Sequence, residues 1–297
     1  MMEASSASLM VRRASRGADH MELCHIGGRF VRVDEACIPV SDLIVQRGVG
    51  AFEAISTHGG RPLMLTPHLE RLIESAARSR IRVPLSVDEM KAIVREGIAR
   101  VRGEGDDEVL ARPYLTGGDV FDPREGFTRS RFFVLFDRID PQDPELFERG
   151  VTLDPVPFGR DDPSVKSVDY RATYSSLRED SQDVLYCPDG EITEAGHSTF
   201  FLVLGGQLLT APLSRVLKGT TRGAIIELAR GDGVEVEERC PLWPELSEAS
   251  EAFVTGSVKK VVPVTRIGSI TIGDGRPGPI TRRLLELYLR HIEAWLE

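Results

Sequence analysis

Three of the four Gly-Gly pairs, Gly27-Gly28, Gly59-Gly60 and Gly205-Gly206, each stand among short apolar runs, and they limit the possible folds more than any other feature. Glycine enters left-handed backbone without steric cost, so such pairs mark tight turns between adjacent strands. The flanking runs suit strands. Arg29-Phe30-Val31-Arg32-Val33 alternates, 50–57 holds a second apolar run, Pro62-Leu63-Met64-Leu65 is the expected returning strand, and 200–204 and 207–210 flank the last pair. Thr66-Pro67-His68-Leu69-Glu70-Arg71-Leu72 predicts a helix start, with Thr66 as N-cap, Pro67 at the first helical position and Leu69, Leu72, Ile73 and Ala76 on one face. A second helix is expected over 87–101 and strands over 108–116 and 131–136. The first half thus mixes strands and helices in an α+β layout.

Residues 1–20 are rich in Ser, Ala and Arg without periodicity and read as a mobile tail. The stretch 137–150, with Pro141 and Pro144 among acidic residues, reads as a linker between an N-terminal domain, 21–136, and a C-terminal domain, 151–297. In the second domain strands are expected at 151–153, 184–186 and 252–255, and helices at 172–179, 220–229 and 281–296. Asp189-Gly190 predicts a turn. No fixed-period repeat is visible. A length of 297 residues suits about two domains.

A formal net charge of -9 argues against a nucleic-acid or anionic-membrane surface, both of which need a basic footprint. No apolar run approaches the roughly 20 residues of a membrane span, and no secretory h-region opens the chain, so the cytoplasm is expected. Cys24, Cys37, Cys187 and Cys240 are far apart and read as reduced thiols, and the six histidines form no H-E-x-x-H, so no metal centre is expected.

Of 37 basic residues only five are lysines, at positions 91, 166, 218, 259 and 260. Arginine cannot form an imine, so amine chemistry must fall on one of these five. Lys91 occupies a polar position of a helical pattern, and of the adjacent Lys259 and Lys260 one is expected to face water. Lys166 and Lys218 remain. Lys166 is followed by Tyr170 and, after a turn, by Glu194 in Thr193-Glu194-Ala195-Gly196-His197-Ser198-Thr199. An amine, a phenol and a carboxylate are the groups needed by an aldehyde cofactor with a basic ring nitrogen: the first forms an imine, the second meets a ring oxygen, the third keeps the nitrogen protonated.

Leu217-Lys218-Gly219-Thr220-Thr221-Arg222 runs into the expected helix at 220–229. Amide N–H groups at a helix start, with a glycine and two hydroxyls, make a phosphate cradle, although a plain capping sequence has the same composition. Thr255-Gly256-Ser257 is a second small-residue turn of this kind. Gly48-Val49-Gly50-Ala51 lacks the third glycine and the βαβ setting of a dinucleotide fingerprint.

Gly48-x-Gly50-x-Phe52-Glu53, His68-Leu69-x-Arg71-Leu72, Lys166-x-x-x-Tyr170, Thr193-Glu194-x-x-x-Ser198, Leu217-x-Gly219-x-Thr221-Arg222 and Thr255-Gly256-Ser257 occur in this order over about residues 25–290. In this series the chain resembles the class IV, fold-type IV pyridoxal-phosphate aminotransferases. The resemblance implies a smaller N-terminal α/β domain and a larger, barrel-like C-terminal domain with helices. It also implies pyridoxal 5'-phosphate as cofactor, amino-acid and 2-oxo-acid substrates and a homodimer.

By the same resemblance Lys166 is the Schiff-base lysine and Glu194 the partner of the ring nitrogen. Arg71, Gly219, Thr220, Thr221, Gly256 and Ser257 surround the phosphate, Leu217 packs on the ring and Tyr170 reaches its phenolic oxygen. Two departures stand out: Thr199 where Asn is usual, and Arg47 where many relatives carry an aromatic residue. Arg47 and Arg112, the latter in Leu110-Ala111-Arg112-Pro113-Tyr114, are candidates for clamping a substrate carboxylate, or else are surface ion pairs. Leu110 leaves the arrangement expected of a branched-chain enzyme incomplete, which tilts the expectation toward D-amino acids. A branched-chain L-amino-acid aminotransferase, a 4-amino-4-deoxychorismate lyase and a non-catalytic phosphate-metabolite-binding relative are the alternatives.

Overall fold

A computed structural model describes residues 21–102, 107–140 and 142–297. The tail expected over 1–20 and Pro141 of the expected linker lie outside the described residues. The chain divides into two compact units. The described residues up to 140, with Val165–Asp169 and Glu293–Glu297, belong to an N-terminal unit, and Gln142–Ser164 and Tyr170–Ile292 belong to a C-terminal unit.

The N-terminal unit contains β1 (Met21–Ile26), β2 (Arg29–Val31), α1 (Leu43–Arg47), β3 (Gly50–Phe52), β4 (Ile55–His58), β5 (Arg61–Pro62), α2 (Leu65–Arg78), α3 (Val87–Arg102), β6 (Glu108–Thr116), β7 (Phe121–Asp122), β8 (Gly126–Phe127) and β9 (Arg131–Ile139). Seven strands form one sheet in the order β2-β1-β9-β6-β4-β5, with β3 also on β6 and every pairing antiparallel. Alternation along β6 and β9 sends Val109, Ala111, Leu115, Phe132, Val134 and Phe136 to one face. There they meet Leu65, Leu69, Leu72 and Ala76 of α2 and Met90, Val94, Ile98 and Val101 of α3, spaced for one face of a helix. Each large apolar side chain buried here contributes about 2 kcal/mol. Gly97 lets α3 settle on the sheet, since a Cβ at that position would lie 2.0 Å from the Phe136 ring.

The α2 start differs from its expected form. Met64 is left-handed at φ 52° and is the N-cap, and the strand after Gly59-Gly60 stops at Pro62. Thr66 lies inside the helix, where its N–H donates to a Glu297 carboxylate oxygen at 2.8 Å and its hydroxyl donates to the other. Met64 N–H donates to the Trp295 carbonyl and Glu297 N–H to that of Pro62. These bonds explain why the last five residues belong to this unit rather than to the C-terminal one. They also end the expected 281–296 helix at His291.

The C-terminal unit contains α4 (Glu145–Arg149), β10 (Val151–Val156), α5 (Arg171–Ser176), β11 (Asp183–Tyr186), β12 (Glu194–Ala195), β13 (Ser198–Leu204), β14 (Gln207–Thr210), α6 (Thr220–Gly231), β15 (Val236–Glu238), β16 (Glu251–Gly256), β17 (Lys260–Ile267), β18 (Ile270–Thr271) and α7 (Pro279–His291). Its sheet runs β12-β11-β10-β17-β16-β13-β14-β15, and β12 also pairs with β13. That pairing closes β12, β11, β10, β17, β16 and β13 into a barrel, which removes the free edges of those strands. Leu153, Leu185, Phe200, Leu202, Val254, Val262 and Val264 belong to one core cluster. On the other face of β13 and β16, Phe201 and Phe253 stack at 4.8 Å.

The described residues of the stretch 137–150 are more ordered than a linker. Asp137 to Ile139 complete β9, and Glu145–Arg149 is helical.

Candidate active site

In the N-terminal unit the Lys166 segment adds a short strand beside β3. Phe52 N–H donates to the Lys166 carbonyl at 3.0 Å, Val168 N–H to that of Gly50, and Lys166 N–H to the Ser75 hydroxyl of α2 at 3.2 Å. With its backbone held on both sides, half-buried Lys166 places its ammonium 4.8 Å from the Phe52 ring centroid. Lys218, the other candidate amine, is exposed. Phe52 begins a ladder of rings on registered neighbours, 5.4 Å to Tyr114 and then 4.6 Å to Phe133.

Next to Phe52, Glu53 is fully buried and accepts from Arg71 Nε at 2.7 Å and Nη2 at 2.6 Å, with His68 Nδ1 at 2.7 Å. Burial alone would raise the Glu53 carboxyl, but Arg71 and His68 hold it well below the usual carboxylate range. The same burial pushes His68 down, against the pull of Glu53. The motifs around Phe52-Glu53 and His68-Arg71 are therefore two halves of one buried cluster. Two of the three Arg71 guanidinium nitrogens face Glu53.

Arg112 Nη2 donates to buried Asp137 at 2.6 Å, a diagonal pair across β6 and β9. Arg47 is exposed at the end of α1, where its Nη1 donates to the Gln46 carbonyl. The fold thus brings Lys166, Phe52, Glu53 and Arg71 together and leaves Arg47 on the surface of the chain.

The C-terminal unit gathers the remaining candidates. Glu194 on β12 is buried, with Arg160 Nε 3.0 Å from its Oε1 and the Leu217 N–H donating to Oε2 at 3.4 Å. The Arg160 contact is an ion pair without hydrogen-bond alignment. Arg160 spends Nη2 on the Gly196 carbonyl at 2.6 Å, and the same nitrogen reaches the Tyr170 hydroxyl at 3.5 Å. Its guanidinium lies over the rings of Tyr170, 5.1 Å, and Tyr186, 5.8 Å. Burial works against its charge, yet Tyr170, Glu194 and Tyr186 hold it more firmly protonated than an ordinary arginine. The sequence reading missed Arg160, because one arginine in a chain rich in them carries no local signal.

The two small-residue turns meet through Thr199. It pairs with Glu194 across β12–β13 and with Thr255 across β13–β16, and its hydroxyl would lie 2.8 Å from a Cβ on Gly219. Gly219 is thus required by close approach, and Thr199 is part of the arrangement. Gly219 is the N-cap of α6 and has no side chain with which to cap it, so a plain capping sequence is not what forms. The first N–H groups of α6, at Thr220, Thr221 and Arg222, have no carbonyl within the helix by its geometry. Thr255 Oγ1 is buried with no hydrogen-bond partner in the structure. Gly256 and Ser257 follow it at the end of β16, where a Cβ on Gly256 would meet nothing closer than 3.7 Å.

The model of the family amino-transferase class IV matches residues 50–267. The chain belongs to the class IV aminotransferases. These enzymes use pyridoxal phosphate. This aminotransferase is 31% identical over 279 residues to a putative branched-chain-amino-acid aminotransferase of Methanocaldococcus jannaschii, covering 89% of this chain and 94% of that one. It is 25% identical over 280 residues to a D-alanine aminotransferase of Listeria monocytogenes, covering 90% and 95%. Among solved structures, the Escherichia coli branched-chain amino acid aminotransferase superposes with a TM-score of 0.82 at 26% identity, covering 93% of this chain and 96% of that one. The fold is the fold-type IV fold of these enzymes.

The residues of this aminotransferase fit that cofactor. A buried hydroxyl without a partner at Thr255, a helix start capped by glycine and a second small-residue turn suit a phosphate. A buried carboxylate beside an arginine suits a protonated ring nitrogen.

Proposed function

We propose that this aminotransferase moves the amino group of an amino acid with an apolar, branched-chain type of side chain to a 2-oxo acid, with Lys166 as its reacting amine. The observation that carries the side-chain preference is the ladder Phe52, Tyr114 and Phe133, which starts under the Lys166 ammonium and presents an apolar wall. When bound, pyridoxal phosphate supplies an aldehyde that exchanges amino groups and a ring that accepts the electron pair left at Cα.

In this reading Lys166 holds the cofactor and then moves the proton from Cα, its backbone fixed by Phe52 and Ser75 so that the amine returns to one place. Glu194 holds the ring nitrogen protonated, and Arg160 holds both Glu194 and the Tyr170 hydroxyl in place. Gly219, Thr220, Thr221, Gly256, Ser257 and Arg71 bind the phosphate, and Leu217 packs on the ring. Arg112 meets the substrate carboxylate in competition with Asp137. The resemblance also supports a homodimer as the working form, a state that light scattering on the purified protein reads directly.

A second reading, D-amino acids as donors, is favoured by Leu110, which offers no hydroxyl next to Arg112. Half-reactions decide between the two. The protein charged with pyridoxal phosphate is mixed with L-leucine, L-isoleucine, D-alanine or D-glutamate, and the loss of its visible absorbance is followed. Conversion by L-leucine and L-isoleucine is expected. Conversion by the D-amino acids alone overturns the branched-chain assignment in favour of the second reading. Pyruvate released from an amino-deoxychorismate substrate without any acceptor makes the protein a lyase.

A further inference from the structure

We propose that His197 is a positioning residue: its ring, gripped by Asp183, is the platform that sets the plane of Tyr170 and hence the aim of the Tyr170 phenol. This rests on the cofactor reading above, in which that phenol meets the cofactor's ring oxygen.

Tyr170 stands at the edge of its own element, and a neighbouring ring fixes its plane. It is the N-cap of α5, a six-residue helix whose buried residue is Thr173, and the Arg160 contact to its hydroxyl is long, at 3.5 Å. The His197 ring lies against it almost parallel, with centroids 4.8 Å apart and planes 12° apart. Tyr174, which packs on the same imidazole, is tilted by 52° at 5.7 Å.

His197 is held at two points by one carboxylate, once through its backbone and once through its ring. Asp183 is 2% exposed; its Oδ2 accepts the His197 backbone N–H at 3.1 Å and its Oδ1 lies 3.1 Å from His197 Nδ1. A carboxylate only accepts, so the Nδ1 carries the proton. Lys259 Nζ donates to Asp183 Oδ2 at 3.2 Å and to the Ser198 hydroxyl at 3.0 Å, which places a cation behind the carboxylate. Gly196 permits the turn to close over this group, since a Cβ there would lie 2.5 Å from Asp183 Oδ1. Lys259 follows the Thr255-Gly256-Ser257 turn by two residues.

His197 Nε2 is buried with no hydrogen-bond partner in the structure. A phenylalanine would stack on Tyr170 without that desolvation cost, so stacking area alone does not explain a histidine here. What the imidazole adds is the Nδ1–H that Asp183 grips, and with it a fixed ring plane.

The test uses the cofactor-loaded protein and its His197→Leu, His197→Phe and Lys259→Met variants. A phenol that donates to the cofactor's ring oxygen disperses its charge, so a loosened phenol moves the pH midpoint of the visible absorbance upward. His197→Leu is expected to keep the cofactor, raise the midpoint by about half a pH unit and lower kcat/KM about fivefold. His197→Phe, which keeps a ring without the Asp183 grip, and Lys259→Met, which loosens the grip, are expected to shift less in the same direction. A His197→Leu protein that binds cofactor and titrates like the parent overturns the proposal.

A second measurement needs no cofactor. With fluorotyrosine in place of the five tyrosines, the Tyr170 fluorine resonance is expected to move toward that of free tyrosine in His197→Leu and to move less in His197→Phe. An unmoved resonance overturns the platform even if no variant folds well enough for kinetics. A parent that takes up no cofactor while this resonance moves overturns the functional reading and leaves the platform standing.

Discussion

Lys166 and Lys218 carry the same ammonium in different surroundings. Lys218 is exposed on the loop before α6. Lys166 is half-buried, its main chain bonded on both sides and its charge over the face of Phe52. Covalent chemistry needs an amine that returns to one position, and a side chain rooted in a paired strand does so better than one on an open loop. Borohydride treatment of the loaded protein should therefore fix the cofactor to the peptide containing Lys166, as read by mass spectrometry. Lys166→Ala is expected to lower transamination by about a thousandfold or more. Label on the Lys218 peptide would contradict the assignment.

At the scale of single elements, long-range carboxylates settle where helices start. Glu297 meets the N-terminus of α2, and Glu251 accepts from Ile280 and Thr281 at the start of α7. Glu89 and Ser86 cap α3 locally. The first turn of α6, by contrast, follows a glycine. Negative charge favours a helix N-terminus, and at α6 the phosphate of the proposed cofactor would take the place that carboxylates take elsewhere.

Element packing also fixes Gly97. In an isolated helix Gly97→Ala would gain about 1 kcal/mol. Here the added methyl group meets the Phe136 ring in the core of the N-terminal unit. The substitution is expected to lower stability by about 2 kcal/mol, as read from a shifted denaturant midpoint. An unchanged or raised midpoint would show that the helix and sheet can separate at small cost.

For the whole molecule, buried ion clusters make stability depend on pH. Glu53 and Asp183 have carboxyls held below their ordinary values, Glu53 by Arg71 and His68 against its burial and Asp183 by Lys259 and His197 against its burial. His68 is pushed down by burial. In each case the unfolded chain binds a proton at a pH where the folded chain does not, so stability rises with pH through that range. Stability is complete above about pH 7. It falls first below about 6.5, as His68 of the unfolded chain takes up its proton, and again below about 4.3, as its carboxylates do. Denaturant midpoints measured from pH 8 down to pH 4 should show this fall; a flat profile between pH 7 and 5 would contradict the burial of a neutral His68.

Much of this protein was legible in residue order alone. The scarcity of lysine, the glycine pairs and six short motifs are local properties, because imine chemistry needs one amine and a phosphate is bound by the backbone of turns in which only small residues fit. They carried the family, the cofactor and the outline of strands and helices. Tertiary structure alone decided the rest. Arg160 meets a carbonyl 36 residues away in the chain, Arg131 and Asp42 pair across 89, and Glu297 caps a helix 231 residues before it. Charged side chains are interchangeable in sequence until a fold removes water from around them, and which pairs then form depends on strand register and barrel closure, through contacts that no local pattern encodes.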